Sequence, residues 1–147
     1  MSLQEGQAAP DFTAKDDQGN TVNLKDFRGK KNVVLYFYPK DDTPGCTIEA
    51  CNFRDDISKF QSQDTQILGV SFDDAASHQA FKTKFHLPFP LLVDTDKKIA
   101  SLFEVQGDQY AARDTIVIDK EGKVKKIFRK VDPKGHSGEL LNLLGGN

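Results

Sequence analysis

Hydrophobic residues along this chain form short continuous runs that alternate with segments of helical spacing. The run at 32–38 is continuous in β-branched and aromatic residues, which predicts a strand covered on both faces, and the run at 66–72 predicts a second strand. Between them, the residues from Pro44 to about Gln61 carry apolar positions at the spacing of a helix. A strand, a helix and a strand in this order predict a parallel βαβ unit.

The rest of the chain continues this alternation. Two alternating segments between Asp11 and Leu24 flank a turn-rich tetrapeptide, Asp17 to Asn20, and predict an N-terminal hairpin. The remaining predicted elements are, in order, a helix at 75–86, a strand at 91–93, a helix at 95–105, a hairpin of strands 114–119 and 124–129, and a helix at 138–144. This order predicts an α/β thioredoxin-like fold, in which helices flank a central mixed sheet and the first hairpin is an extension. No repeat or linker divides the chain, so residues 1–147 are expected to form a single domain.

Composition excludes several classes of partner. The 147 residues are 37% hydrophobic and 29% charged, which is enough apolar material for a core. Lys and Arg number 20 against 22 Asp and Glu, so no large basic surface is available for nucleic acid or anionic lipid. The sequence shows no signal-peptide pattern and no apolar run long enough to span a membrane. We expect a cytoplasmic protein, or an organellar one if a targeting segment has been removed.

The chain contains two cysteines, Cys46 and Cys51. A domain of this size does not need disulfides for stability, so two thiols so close in sequence favour redox or metal chemistry. On the predicted helix Cys46 shares the apolar face with Ala50 and Phe53, whereas Cys51 lies about 140° around the axis. The two Cα atoms would be roughly 8.6 Å apart, and a disulfide spans at most about 6.8 Å. A bond between the cysteines would therefore require at least one turn of the helix to unwind.

Cys46 lies in the first turn of the predicted helix. Thr43 can cap this helix, and Pro44 suits its first position. Unpaired backbone N–H groups and the positive end of the helix dipole favour a thiolate there. Ionisation alone raises the concentration of nucleophile at neutral pH by at most about 30-fold. An enzyme would need neighbouring groups that orient the substrate and stabilise developing charge.

Spacing alone leaves two other interpretations open. Cys46 can be a small buried apolar residue while Cys51 is an idle surface thiol. A metal site is less favoured, because the C-x4-C spacing is loose for zinc and the histidines His78, His86 and His136 show no ligand spacing with one another. We expect each histidine to lie at the surface, and we expect no metal and no cofactor.

The segment from Phe37 to Asp55 closely resembles the active-site segment of peroxiredoxins, in particular the bacterioferritin comigratory protein or peroxiredoxin Q subgroup. Pro39, Thr43 and Cys46 match the family's Pro-x-x-x-Thr-x-x-Cys pattern. The second cysteine five positions later is a mark of the subgroup. The similarity extends over essentially the whole chain.

This resemblance implies a thiol-dependent peroxidase that reduces hydrogen peroxide and alkyl hydroperoxides. Cys46 would be the peroxidatic cysteine, whose thiolate attacks a peroxide oxygen. Cys51 would be the resolving cysteine, which traps the resulting sulfenic acid as an intramolecular disulfide. A thioredoxin or similar reductant protein would restore the dithiol, and the subgroup implies a monomer.

The resemblance also implies supporting roles for four residues. Thr43 would orient the sulfur and the peroxide, and Pro39 would shield the pocket from water. Arg113 would bring a fixed cation to the thiolate and the O–O bond. Glu49, one turn after Cys46, would disfavour the thiolate if it stood alone, so we expect it to pair with an arginine that it helps to place.

Two alternative functions compete with the peroxidase. A protein dithiol-disulfide oxidoreductase is disfavoured because Thr43 occupies the position of a thioredoxin's first, nucleophilic cysteine. In addition, no proline precedes the strand that begins near Asp114, where thioredoxins place a cis-proline. The other alternative is a non-enzymatic redox sensor or holdase, for which the sequence offers no exposed apolar stripe.

Overall fold

The predicted hairpin is present at the start of the structure, a computed structural model that describes residues 3–145. Strands β1 (Thr13–Lys15) and β2 (Thr21–Asn23) pair antiparallel, with Ala14 opposite Val22. A short 3-10 helix, Leu24–Phe27, follows the hairpin and leads towards the main sheet.

The main sheet is mixed and has five strands, as the order of elements predicted. Its strands are β3 (Asn32–Phe37), β4 (Thr65–Ser71), β5 (Leu91–Val93), β6 (Thr115–Ile118) and β7 (Val124–Phe128). Their spatial order is β5-β4-β3-β6-β7. Parallel pairing joins β3 to β4 and β4 to β5, whereas β6 runs antiparallel to both β3 and β7. The central strand is therefore β3, the most continuously apolar run in the sequence.

The helices lie where the sequence placed them, with differences in length. They are α1 (Pro44–Asp55), α2 (Ile57–Ser62), α3 (Ala75–Phe85), α4 (Lys98–Leu102) and α5 (His136–Gly145). The predicted helix at 95–105 is too long. Lys97 adopts a left-handed conformation with φ 62, and the Asp94 carboxylate accepts the first free N–H groups of α4, from Ile99 and Ala100.

The prediction of one helix from Pro44 to about Gln61 is also wrong, because the helix breaks at Asp56. Asp56 has φ -99 and ψ 9, and its carbonyl accepts from both the Lys59 and the Phe60 amides, which tightens the turn. Its carboxylate accepts a hydrogen bond of 2.8 Å from the Ser137 hydroxyl of α5. Asp56 thus separates α1 from α2 and ties their junction to the C-terminal helix.

Strand β3 contributes to the cores on both faces of the sheet because successive side chains point in opposite directions. Val33, Leu35 and Phe37 belong to one buried cluster. Val34 and Tyr36 belong to the other, which also contains residues of α1, namely Cys46, Ala50 and Phe53. The apolar face of α1 therefore packs on the sheet and carries Cys46 with it.

The expectation that each histidine lies at the surface is wrong for two of the three. His78 is 0% exposed and His136 is 2% exposed, whereas His86 is exposed. Both buried rings have hydrogen-bond partners at both nitrogens, which offsets the loss of hydration. Within residues 3–145, no helix is long and apolar enough to cross a membrane.

Candidate active site

Helix α1 holds both cysteines. Pro44 occupies its first position, and Cys46 follows in the first turn. Cys46 is only 1% exposed and faces the core, whereas Cys51 is half-buried. Both are free thiols. Because α1 is continuous from Pro44 to Asp55, the separation of roughly 8.6 Å expected for helical Cα atoms five positions apart applies to this pair.

The Thr43 side chain does not cap α1, so the expectation of a side-chain cap is wrong. Its hydroxyl instead donates a hydrogen bond of 2.8 Å to the carbonyl of Lys40. With its proton committed to this carbonyl, the Thr43 oxygen keeps lone pairs that can accept from a substrate O–H group.

Arg113 reaches from the start of β6 to helix α1. Its Nη2 lies 3.5 Å from the Cys46 sulfur, and its Nη1 donates to Glu49 Oε1 at 2.9 Å. The expectation that Glu49 pairs with an arginine is thereby confirmed. A planar guanidinium can hold the sulfur and the carboxylate at the same time, which a lysine ammonium could not do in this geometry.

The backbone of Arg113 is fixed by the segment that follows β7. The Val131 amide donates to the Arg113 carbonyl at 2.7 Å. Beside it, the buried Asp114 carboxylate accepts from Arg129 Nη1 at 2.8 Å and from the Lys130 amide at 3.1 Å. The sequence pattern does not reveal this ion pair, because its two members are 15 residues apart and flank different strands, β6 and β7.

Gly45 leaves the space that the guanidinium occupies. A Cβ atom built on Gly45 would lie 2.9 Å from Arg113 Nη2 and 3.7 Å from Pro133 Cγ. Contacts of the first kind force the neighbouring atom to move, so any side chain here would push the guanidinium away from its position. The glycine between Pro44 and Cys46 thus permits the close approach of Arg113 to the sulfur.

Burial affects the pKa values of both members of the ion pair between Glu49 and Arg113. Glu49 is 1% exposed, and burial raises the pKa of its carboxyl to about 7 against the opposing attraction of Arg113. Its Oε2 atom has no hydrogen-bond partner among the described residues. Burial works against the charge of Arg113 as well, but the neighbouring Cys46 and Glu49 outweigh it and raise the pKa of the guanidinium. Arg113 is therefore cationic throughout the physiological range.

An open groove of about 420 Å³ adjoins the segment before α1 and is lined by Pro39, Lys40, Thr43 and Tyr110. Tyr110 is 50% exposed, and the Lys40 ammonium lies 5.8 Å from the centroid of its ring. Tyr110 was not identified from the sequence, since it lies in a polar loop with no periodic pattern. The groove gives a small molecule a route to Thr43.

Comparison with known proteins places the chain in a family. The sequence model of the AhpC/TSA family matches residues 5–127. The chain belongs to the AhpC/TSA family. It is 49% identical to peroxiredoxin Bcp of Bacillus subtilis, over 98% of this chain and 96% of that one. It is 44% identical to the chloroplastic peroxiredoxin Q of Triticum aestivum, over 97% of this chain and 67% of the relative.

Solved structures of AhpC/TSA proteins have the same fold. The peroxidoxin BcpB of Mycobacterium tuberculosis superposes with a TM-score of 0.92 at 31% identity and covers 98% of this chain and 97% of its own. The bacterioferritin comigratory protein of Xanthomonas campestris, studied for its alkyl peroxide reduction activity, superposes with a TM-score of 0.90 at 30% identity. That match covers 97% of this chain and 98% of the other.

These findings confirm three predictions. The fold is α/β and thioredoxin-like, with a central mixed sheet flanked by helices. The chain is a peroxiredoxin, as the segment around Cys46 indicated. It is an enzyme, an oxidoreductase with peroxidase activity, and the alternatives of a protein dithiol-disulfide oxidoreductase or a non-enzymatic sensor are not favoured.

Proposed function

We propose that this peroxidase reduces hydrogen peroxide and alkyl hydroperoxides through the Cys46 thiolate. The contact of Arg113 with both Cys46 and Glu49 is the observation that carries the proposal. In the first step the sulfur forms a bond to one peroxide oxygen, the O–O bond breaks, and hydroxide or alkoxide leaves and takes up a proton. Arg113 favours the thiolate before this step and stabilises the developing oxyanion during it.

Thr43 and Pro39 shape the approach of the peroxide. Because the Thr43 hydroxyl donates to Lys40, its oxygen is free to accept a hydrogen bond from the peroxide O–H and to orient the O–O bond towards the sulfur. Pro39 lines the same groove. Its ring carries no N–H donor, so it presents an apolar wall that excludes water from the sulfenic acid.

Cys51 resolves the sulfenic acid formed on Cys46. Its thiolate attacks the Cys46 sulfur, the S–S bond forms, the S–O bond breaks, and the hydroxyl leaves as water after protonation. Cys51 is half-buried on α1, and the span of roughly 8.6 Å exceeds the reach of a disulfide, so α1 must lose at least a turn. Both cysteines belong to one helix of one chain, which supports a monomer as the catalytic unit.

Two electrons from an external dithiol close the cycle. Unwinding of α1 exposes the disulfide, and an exposed disulfide is reducible by a thioredoxin-like protein. The cycle requires a compartment in which such a reductant is kept reduced. The cytoplasm is our expectation for this chain.

Intact-mass analysis of the fully reduced protein after addition of one equivalent of hydrogen peroxide tests the cycle. We expect the wild type to lose two hydrogens as the disulfide forms. Cys51→Ser should accumulate a sulfenic or more highly oxidised species, and Cys46→Ser should barely react. The Cys51→Ser variant is the matched control for Cys46→Ser, since each removes a single thiol from α1.

Two results would contradict the proposal. Rapid oxidation of Cys46→Ser at Cys51 would reverse the roles of the two cysteines. If the wild-type protein reacts with peroxide no faster than free cysteine, Cys46 is not the nucleophile of a peroxidase reaction.

A further inference from the structure

His78 of α3 is a fully buried side chain whose two ring nitrogens both face hydrogen-bond acceptors. Nδ1 lies 2.7 Å from Asp41 Oδ2, and Nε2 lies 2.8 Å from the carbonyl oxygen of Leu92. Asp41 is a buried carboxylate, and a backbone carbonyl cannot donate. With Asp41 ionised, both ring nitrogens act as donors, and the ring is then an imidazolium.

The Asp41 carboxylate is surrounded by donors. Besides His78, the Tyr38 hydroxyl donates to Oδ1 at 2.6 Å and the Ser77 hydroxyl donates to Oδ2 at 2.8 Å. Its backbone amide donates to Asp73 Oδ2 at 2.9 Å. Four contacts thus hold this one residue, and those with Tyr38 and His78 are fully buried.

Charged and titratable groups face His78 from several elements. Asp41 lies before α1, Asp73 follows β4, and the Tyr38 ring beyond β3 has its centroid 6.4 Å from that of the imidazole. From β5 the contact is the uncharged Leu92 carbonyl. Burial works against the charge of His78, but the hydrogen bond and the attraction from Asp41 outweigh it and raise the pKa of the ring.

Asp41 lies in the middle of the segment from Pro39 to Thr43, which adjoins the reacting sulfur. Lys40, its neighbour, supplies the carbonyl that receives the Thr43 hydroxyl. On its other side Asp42 adopts a left-handed conformation with φ 58 and meets Lys84 Nζ at 2.8 Å on the surface. That exposed pair contributes little, so the side-chain contacts that hold the segment against the rest of the fold are chiefly those of Asp41.

We propose that His78, as an imidazolium, is a positioning residue for peroxide reduction: it holds Asp41, and through Asp41 it fixes the Pro39–Thr43 segment on which the peroxide is oriented. The inference rests on the proposed function of Cys46 and Thr43. Misplacement of a substrate-orienting group by about 1 Å can cost up to a hundredfold in rate, so a residue that never touches the peroxide can still control the reaction.

The same cluster also has the composition of a metal site, since one ligand atom each from Asp41, Asp73 and His78 lie within 4.8 Å of one another. A metal ion would have to replace the proton on Nδ1 and the hydroxyl donors that already hold the carboxylate. The second nitrogen of the ring, bound to Leu92, needs a proton in either case. The contacts therefore favour a proton over a metal ion at Nδ1.

Deprotonation of His78 removes one of the hydrogen bonds that its ring donates. Either the Asp41 carboxylate or the Leu92 carbonyl loses its donor, and the Pro39–Thr43 segment loosens. We expect the rate constant for oxidation of Cys46 to fall at alkaline pH. Removal of His78 should lower the rate at neutral pH and abolish this alkaline fall.

Quench-flow alkylation, which follows loss of the Cys46 thiol after mixing with hydrogen peroxide, tests the proposal from about pH 6 to about pH 9. We expect His78→Gln to react about tenfold more slowly at neutral pH, with no alkaline fall. Asp41→Asn, which removes the partner charge, should behave similarly. His86→Gln is the matched control, because His86 lies exposed at the end of the same helix, and it should react as the wild type does.

Nitrogen NMR of the wild-type imidazoles measures the protonation of His78 directly, whereas the pH profile of the rate separates a positioning role from a merely structural one. We expect both nitrogens of His78 to be protonated above the usual histidine pKa of about 6.5. A neutral His78 ring at neutral pH would overturn the proposal even if His78→Gln failed to fold. A folded His78→Gln with the wild-type rate and pH profile would also overturn it. By contrast, a wild type that reacts no faster than free cysteine contradicts the proposed function. The NMR result still shows whether the His78 ring is protonated.

Discussion

The Arg113 nitrogen Nη2 lies 3.5 Å from the Cys46 sulfur. In the proposed reaction this guanidinium would lie beside both the sulfur and the leaving oxygen, where its positive charge opposes the negative charge that develops. Glu49 holds the other side of the same guanidinium at 2.9 Å. The reactivity of Cys46 is therefore expected to depend on the direction of the guanidinium as much as on its charge.

Two substitutions of Arg113 separate the contribution of its charge from that of the direction of its guanidinium. Arg113→Gln removes the charge and should lower the rate constant for Cys46 oxidation by roughly a hundredfold, the usual cost of losing one donor to a developing oxyanion. Arg113→Lys keeps the charge but cannot contact the sulfur and Glu49 in one plane, so we expect an intermediate loss. Quench-flow alkylation of Cys46 gives both values. Equal rates for Arg113→Lys and the wild type would show that charge alone suffices.

Gly45→Ala should reduce activity. The added Cβ would lie 2.9 Å from Arg113 Nη2, so the guanidinium must turn away from the sulfur, and we expect the rate to fall by about tenfold. Gly138→Ala is the matched control, because a Cβ on Gly138 meets nothing within 4 Å. It should leave the rate unchanged and stabilise α5 by about 0.5–1 kcal/mol. Measured rates and melting temperatures of the two variants check both statements, and a Gly45→Ala protein with full activity would refute the steric argument.

The pH dependence of the free energy of unfolding should show the titration of the buried Glu49. Its pKa is raised to about 7 in the folded protein, so its contribution to stability is fully present below the unfolded pKa of about 4.3 and is lost as pH rises through 7. A shift from about 4.3 to about 7 corresponds to at most about 4 kcal/mol. Glu49→Gln removes the titration, so the wild type should lose stability relative to this variant between about pH 5 and about pH 8.

Urea unfolding of both proteins across this range measures the effect. The pKa of His78 is also raised, so its contribution too is lost as pH increases above about 6.5. That contribution is common to both proteins and cancels in the difference. A difference that stays constant with pH, or a wild type that gains stability relative to Glu49→Gln as pH rises, would show that folding does not raise the pKa of Glu49.

Much of the fold followed from local patterns. The run at 32–38 predicted a doubly covered central strand, and β3 occupies the centre of the sheet. Helical spacing placed Cys46 with Ala50 and Phe53, and all three are buried in the same cluster. The ion pair of Glu49 was predictable as well, because an unpaired buried carboxylate beside a thiolate is unfavourable.

The features that the sequence did not reveal depend on contacts between distant segments. His78 lies three residues before the buried Phe81 on α3, and this spacing was the one signal that it faces the core. Its partner Asp41 is 37 residues away, so periodicity could not pair them. The break at Asp56 likewise depends on Ser137, which is 81 residues distant. Sequence patterns identify which face is apolar, but they do not show which polar side chains are satisfied inside the core.

The break at Asp56 predicts how far α1 unwinds when Cys46 and Cys51 form a disulfide. Ser137 holds the Asp56 carboxylate at 2.8 Å, and α2 is anchored by Phe60, which is 0% exposed. We therefore expect hydrogen–deuterium exchange to accelerate across 44–55 in the oxidised protein while the amides of 57–62 stay protected.

Ser137→Ala tests the role of this boundary. Loss of the hydrogen bond should cost about 1 kcal/mol and extend the fast exchange of the oxidised protein into 57–62, with little change in the reduced protein. Ser101→Ala, a substitution of an exposed serine in the distant helix α4, is the matched control and should leave the boundary at Asp56. If 44–55 exchanges equally slowly in the reduced and disulfide-bonded proteins, α1 does not unwind, and the geometric requirement placed on Cys46 and Cys51 is wrong.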